Sequence, residues 1–306
     1  MIDSSINYSV SQLWETWLIY RKGKKKTKEL AFFEYNLLDN ITLLAEDLEK
    51  GNWKHGTYRF FEVNDTKKRL VSVAGTRDKI VHRFVYEKLS MIFRNKIDFD
   101  VWSGRKNKGL LQAIRRTQNF AKKYKSGYVL KIDIQKCFDS IDQKILVGYI
   151  EKCDCIPNEL KKLCKEIIFS YNKHTQKGLP IGNVTSHVFC HLYLSPVDFL
   201  VRSLLEVRAY VRYGDDILCF LESNILSMEI ESKIIKAFKK ISLCKNYQSS
   251  YMRKISHGFN FLGCTIFPRG RNIVRKIRFL QKINNRNFSS YYTLFQKHDK
   301  TLYNYM

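Results

Sequence analysis

Apolar residues recur at helical spacing through residues 31–50, "AFFEYNLLDNITLLAEDLEK", and predict one amphipathic helix that Gly51 and Asn52 end. The runs "YRFFEV" and "RLVSVA" flank the turn "NDTKK" and predict two strands. Helical patterns follow at residues 78–93 and 109–123. "GYVLKIDI", residues 127–134, is largely apolar and predicts a buried strand. "FDSIDQKILVGYIEK" predicts a helix with Asp139 or Ser140 as its N-cap. A helix-rich stretch runs to Asn172 and gives way to the Gly/Pro-punctuated loop "KGLPIGN". Residues 185–205 form a long apolar helical pattern interrupted only by Pro196. "AYVRYGDDILCF" predicts a hairpin turning near Gly214 and Asp215. A further helix is predicted at 225–241, and a strand or strand pair at "FNFLGCTIF", residues 259–267.

Strands punctuating helices in this order predict an α+β fold. There is no βαβ repeat and no glycine-rich dinucleotide loop. Charge changes the picture more than composition does. Lys and Arg outnumber Asp and Glu by 54 to 29, a formal net charge of +25. Such an excess speaks to partners, and polyanionic nucleic acid comes first because phosphate binding releases counterions. An anionic membrane comes second, since the basic residues are spread along the chain rather than massed on one amphipathic segment. The start "MIDSSINYSV" does not read as a secretory signal, and no run reaches membrane-span length, so a cytoplasmic protein without membrane contact is expected. The eight cysteines show no paired CxxC knuckle and read as reduced thiols, mostly small buried hydrophobes.

Against that basic background, adjacent Asp215 and Asp216 in an apolar hairpin need an explanation. "GDD" on its own serves equally as a surface turn or as a metal site. Asp133 shifts the balance, because an acid at the end of the apolar strand "YVLKID" is costly unless paired or metal-bound. Asp133 and Asp215 are far enough apart to lie on neighbouring strands joined by a long insertion. Carboxylates so placed suit two Mg2+ ions about 4 Å apart, the arrangement of phosphoryl transfer.

These residues resemble the motifs of reverse transcriptases. "KIDIQKCFDSI" resembles the motif carrying the first catalytic acid, and "RYGDDILCF" the catalytic hairpin. "GLPIGNVTSHVFCHLYLSPVDFLV" resembles the template- and nucleotide-positioning motif, and "GFNFLGCTIF" the primer grip. "KKRLVSVAGTRDKIVHRFVYEKL" and "VWSGRKNKG" resemble the fingers motifs. The likeness spans about residues 14–267 in the right order. It implies a right-hand polymerase with an N-terminal helical extension at 1–60, fingers at 61–130, and a palm at 131–267 with an insertion near 150–180. A short helical thumb at 268–306 would complete it. It further implies Asp133 and Asp215 as principal ligands of two Mg2+ ions, for which Mn2+ can substitute. Asp216 would be the supporting acid, and the backbone carbonyl of Ile134 an additional ligand. Phe138 would be the steric gate that excludes ribonucleotides, although an ordinary core aromatic would look the same. Arg69, with Lys68 or Lys67, would grip the triphosphate, while Ile181 and Gly182 line the nascent pair. Arg105, Lys108, Tyr213, Phe261, Leu262 and Gly263 would meet template or primer. The lysine of the loop after the catalytic hairpin would be Lys245 or Lys254.

Ile181 departs from the glutamine usual in "PQG". "IGNxTS" resembles the error-prone enzymes of diversity-generating retroelements, whereas His187 and Gly214 depart from that group. Bacterial antiphage-defence reverse transcriptases are the alternative. An RNA-directed RNA polymerase is disfavoured by Phe138, and a catalytically dead nucleic-acid binder by the complete acid set. Expected partners are an RNA template, a DNA or RNA primer and dNTPs. The residues after Pro268 leave so little chain for a thumb that an accessory protein or a structured non-coding RNA is expected to complete the grip.

Overall fold

The computed structural model describes residues 6–64, 68–172, 174–269 and 273–274. In chain order the helices α1 (Val10–Arg21), α2 (Lys28–Tyr35) and α3 (Leu37–Glu49) precede the hairpin β1 (Arg59–Asn64) and β2 (Lys68–Val73). Then come α4 (Thr76–Ile92), α5 (Leu110–Lys123), β3 (Tyr128–Asp133), α6 (Cys137–Ser140), α7 (Gln143–Glu151) and α8 (Asn158–Phe169). The helix α9 (Thr185–Phe199) passes into a π-helical turn, Leu200–Leu204. Strands β4 (Tyr210–Tyr213) and β5 (Asp216–Leu221), helix α10 (Asn224–Lys240), and strands β6 (Tyr251–Lys254), β7 (Phe259–Phe261), β8 (Cys264–Ile266) and β9 (Ile273–Val274) follow. The thumb expected at 268–306 lies outside the described residues except for Pro268, Arg269 and β9.

Three helices differ from the sequence reading, and strand β6 was not expected. The single helix expected over 31–50 is two, because Asn36 leaves the helical region at φ −115°, ψ 48°. The Asn40 side chain donates to the Phe33 carbonyl at the break, 3.0 Å, satisfying an acceptor that the ended helix exposes. The helix expected from Phe138 is also two. Asp142, rather than Asp139 or Ser140, caps the longer one by accepting from the Lys144 and Ile145 amides at 2.9 and 3.1 Å. Finally, the pattern over 185–205 is not α-helical to its end. Pro196 cannot donate to the ladder, and further on Leu205 bonds five residues back to Leu200.

The chain forms two compact units, Met1–Ile97 with Lys136–Tyr193, and Asp98–Gln135 with Leu194–Met306. In the first, α1 packs on α3 and α4, and α4 on α8, around buried Leu13, Trp17, Ile41, Leu44 and Phe84. In the second, an antiparallel sheet has the strand order β4-β5-β3-β6. Alternate side chains serve opposite faces. Val129, Val211, Leu218 and Phe220 pack with Ile114 and Phe120 of α5 and with β7 and β8. Helix α10 packs on β3 and β5.

Candidate active site

Asp133 ends β3 directly opposite Asp216, the first residue of β5, and Asp216 in turn pairs with Tyr213 at the end of β4. Directly opposed residues point to one face. Tyr213, Asp216 and Asp133 therefore form a row across three strands, half-exposed at the place where the apolar face of Val211, Leu218 and Val129 stops. Asp215 sits in the two-residue turn between β4 and β5. Gly214 precedes it at φ +64°, the left-handed conformation that tight hairpins require at this position. A Cβ at Gly214 would meet only Ser103 Oγ, at 3.9 Å, so backbone conformation rather than crowding favours glycine here.

The turn is braced from two sides. Residues 100–103 run along β4, exchanging backbone bonds between Asp100, Trp102 and Arg212, and Ser103 Oγ accepts from the Gly214 amide at 2.9 Å. Arg212 Nη1 donates to the Gly214 carbonyl at 3.1 Å. The same guanidinium is fully buried and bidentate on Asp198 of α9. Nothing in the run "YVRY" singles out Arg212 as such an anchor, and its partner Asp198 lies on the preceding helix.

Asp133 is fixed by the segment that follows α10. Asn246 Nδ2 donates to Asp133 Oδ2 at 2.6 Å, the Asn246 amide donates to the Asp133 carbonyl at 2.8 Å, and Ser250 Oγ accepts from the Asp133 amide at 2.9 Å. Ile134 forms an isolated antiparallel bridge with Lys245 whose two bonds come from flanking residues, so its own carbonyl takes no part in that bridge. Lys245 is ion-paired with Glu231, and Lys254 ends β6. Lys131 Nζ lies 2.9 Å from Asp216 Oδ1. Burial alone would lower the Lys131 ammonium, but the facing Asp216 carboxylate outweighs it and holds its pKa above the ordinary lysine value. Sequence reasoning missed Lys131, although a lysine two positions before an acid on an apolar strand was legible as its same-face neighbour.

Hard carboxylate oxygens are the ligands Mg2+ prefers, and three of them at one sheet end make a fitting donor set. Among the described residues no three carboxylate, imidazole or thiolate groups already converge as a metal-holding group. Asp133 and Asp216 are instead held by Asn246 and Lys131.

Of the residues expected to touch template or primer, Arg105, Lys108, Phe261 and Leu262 are engaged within this unit. Arg105 donates to the carbonyls of Asp98 and Val101 at 2.7 and 3.0 Å. Lys108 bonds the Phe99 carbonyl and lies 3.8 and 4.4 Å from the Phe99 and Trp102 ring centres. Burial, with Arg105 nearby, pushes the Lys108 ammonium down to about 8. Leu262 and Gly263, at φ 48° and 81°, form a two-residue turn between β7 and β8. Phe261 is buried in the core below that turn, and Leu262 packs against the same core.

In the first unit the "LPIGN" loop is stitched to two elements. Leu179 and Gly178 donate to the carbonyls of Phe138 and Ile141, each at 2.8 Å, and the Ser72 amide donates to the Ile181 carbonyl at 3.0 Å. Phe138, Ile181, Gly182 and β2 are thereby brought together. The Phe138 ring stands edge-on to His187, with centres 6.3 Å apart. Arg69 pairs with Val63 on the exposed hairpin, and Lys68 pairs with Asn64 beside the undescribed residues 65–67.

Residues 54–266 match the reverse transcriptase (RNA-dependent DNA polymerase) family, and the chain belongs to that family. It is 26% identical over 219 residues to the COX1/OXI3 intron 2 protein of Saccharomyces cerevisiae, covering 67% of this chain and 25% of that protein. The COX1/OXI3 intron 1 protein of the same yeast is 26% identical over 167 residues, 52% of this chain and 20% of that one. The chain thus spans about a quarter or less of the curated relatives it matches. Among solved structures it resembles telomerase from Candida albicans in complex with a telomeric RNA fragment, with TM-score 0.54 at 12% identity over 70% of this chain and 44% of that one. It also resembles apo telomerase from Candida tropicalis, with TM-score 0.57 at 14% identity over 79% and 52%. At such identities the likeness concerns the fold, and it agrees with the α+β palm-and-fingers expectation.

Proposed function

We propose that this protein is an RNA-directed DNA polymerase that copies an RNA template into cDNA with low fidelity, as part of a diversity-generating retroelement. The observation that carries the polymerase reading is the opposition of Asp133 and Asp216, with Asp215 in the adjoining turn, inside a chain of the reverse transcriptase family. When bound, two divalent cations supply the positive charge that makes a primer 3′-hydroxyl nucleophilic and stabilises departing pyrophosphate. Asp133, Asp215 and Asp216 hold those cations, with the Ile134 carbonyl as a further ligand. Within the second unit Tyr213 and the β7–β8 turn, Leu262 and Gly263 over buried Phe261, are assigned to the primer, and Arg105 and Lys108, once released from the carbonyls they bond, to the template. Phe138 is assigned to the sugar 2′ position, Arg69 and Lys68 to the triphosphate, and Ile181 with Gly182 to the new pair. The proposal keeps fingers at 61–130, a palm at 131–267 and a thumb from 268. The enzyme acts in the cytoplasm. Among the described residues no helix is long and apolar enough to cross a membrane.

A primed RNA template offered dNTPs or NTPs tests the activity. Extension by dNTPs that Asp133→Asn and Asp215→Asn each reduce by on the order of a hundredfold or more supports it, since a lost ligand forfeits several kcal/mol of charge stabilisation. Preferential use of NTPs would overturn it. Low fidelity rests on Ile181, where an aliphatic side chain lacks the polar contacts of a glutamine. Ile181→Gln should reduce misincorporation opposite template adenine, and unchanged error spectra sink that link. His187 and Gly214 favour the second reading, an antiphage enzyme acting with a non-coding RNA, which a phage-plating assay with Asp215→Asn distinguishes. An accessory protein or structured RNA completes the template grip. Processive synthesis by the bare chain refutes that requirement.

A further inference from the structure

Lys131 lies two residues before Asp133 on β3, so both side chains leave one face of the sheet. Its ammonium meets Asp216 Oδ1 at 2.9 Å, and both side chains are largely withdrawn from solvent, 15% and 21% exposed. Asp216 also faces Asp133 across the ladder, and like charges directly opposed on a strand pair repel. Asp133 accepts from a neutral donor, the Asn246 amide nitrogen, and attracts the Lys131 ammonium more weakly than Asp216 does. Asp216 is in direct contact with that ammonium. A divalent cation approaching Asp216 must therefore displace it or bear its repulsion at contact distance.

We propose that Lys131 is an internal counter-cation that withholds Asp216 from divalent metal and thereby sets the metal affinity of the site. The ammonium has to leave Asp216 before that carboxylate can take metal. Lys131 is a positioning residue in this scheme, acting through Asp216. The inference rests on the metal-binding reading given above and adds the control of one of its ligands.

The test is Mn2+ binding to the full chain, without nucleotide, followed by the electron paramagnetic resonance signal of free Mn2+. The proteins compared are wild type, Lys131→Met, Asp216→Asn, the double variant and Asp133→Asn. Lys131→Met should tighten Mn2+ binding by roughly tenfold, the effect of removing a like charge next to the site. Asp216→Asn should change wild-type affinity by less than about threefold but weaken the Lys131→Met protein by roughly tenfold, because Asp216 has there become a ligand. Equal affinity of wild type and Lys131→Met, or an equal effect of Asp216→Asn in both backgrounds, overturns the proposal. Circular dichroism checks each fold. Lys131→Gln replaces the methionine variant should that one not fold. Lys131→Arg keeps the charge and should keep wild-type affinity, so an arginine variant that behaves like the methionine one assigns the effect to packing and also overturns the proposal. Wild-type binding that Asp133→Asn leaves unchanged is a different failure. It removes the metal-site reading itself, and the role of Lys131 with it.

Discussion

Arg212 and Asp198 form a buried, bidentate ion pair, with Nε to Oδ1 at 2.7 Å and Nη2 to Oδ2 at 2.6 Å. The Tyr210 hydroxyl donates to the same Oδ1 at 2.5 Å. Both carboxylate oxygens are thus engaged on a side chain that is almost wholly buried. Removing either partner leaves a buried charge without compensation. Arg212→Met and Asp198→Asn should each lower unfolding free energy by about 3–5 kcal/mol in urea titrations. Because Arg212 also donates to the Gly214 carbonyl, Arg212→Met should further raise hydrogen exchange at Gly214 and Asp215. A loss under ~1 kcal/mol would show the pair to be dispensable.

His82 makes stability pH-dependent below neutrality. It is wholly buried, bonded through Nδ1 to Thr185 Oγ1 at 2.6 Å and through Nε2 to His55 Nε2 at 3.0 Å. Burial first, then the charges of His55 and Lys79, push its pKa down to about 3. Unfolded histidine titrates near ~6.5, so between these values the unfolded chain binds the extra proton. The stability is full above about 6.5 and is lost as pH falls toward about 3, by up to ~1.4 kcal/mol per pH unit. Urea titrations at pH 7, 6 and 5 should show this slope, and His82→Gln should flatten it. Equal slopes in both proteins would assign the acid sensitivity elsewhere.

Gly182 meets two constraints at once. Its φ is +114°, and a Cβ would lie 3.0 Å from Val71 Cγ1 and 3.2 Å from the Ser72 carbonyl oxygen. The loop and β2 are joined there by the Ser72–Ile181 backbone bond. Gly182→Ala should cost about 1–3 kcal/mol and loosen the loop, seen as faster exchange of the Ser72 amide. The matched change Gly148→Ala, in α7 with open space around it, should instead stabilise by about 0.5–1 kcal/mol.

Phe138 sits half-buried against His187, held in place by the Leu179 amide on its own carbonyl. If the ring is the sugar gate, Phe138→Ala should lower the preference for dNTPs over NTPs by at least about tenfold in single-nucleotide incorporation. An unchanged ratio, with the fold intact by circular dichroism, returns Phe138 to the role of a packing aromatic.

Much of this was legible along the chain. Alternation and helical spacing located β3, the β4–β5 hairpin, α4, α5 and α10, because each buries one face and local pattern reports burial. The acids were legible because carboxylates at the ends of apolar strands are costly and so stand out. Short-range punctuation was read less well. Asn36 and Asp142 break patterns that looked continuous, since a helix end depends on what can cap it. Strand β6 was missed because it is four residues long, lies at the sheet edge, and carries little apolar pattern.

The sequence by itself determined most of the elements and their order, the basic charge of the chain, and Asp133, Asp215 and Asp216 as candidate ligands. Only the tertiary structure decided the register that sets Asp133 opposite Asp216, the pairing of Lys131 with Asp216, the clamp of Asn246 on Asp133, and the burial of Arg212 on Asp198. It also decided the conformation of Gly214, whose positive φ turns the hairpin just before Asp215. The physical reason is range. A local pattern records which face of an element is buried, whereas register and ion pairing are fixed by contacts between segments far apart in the chain, and these exist only once the sheet has closed.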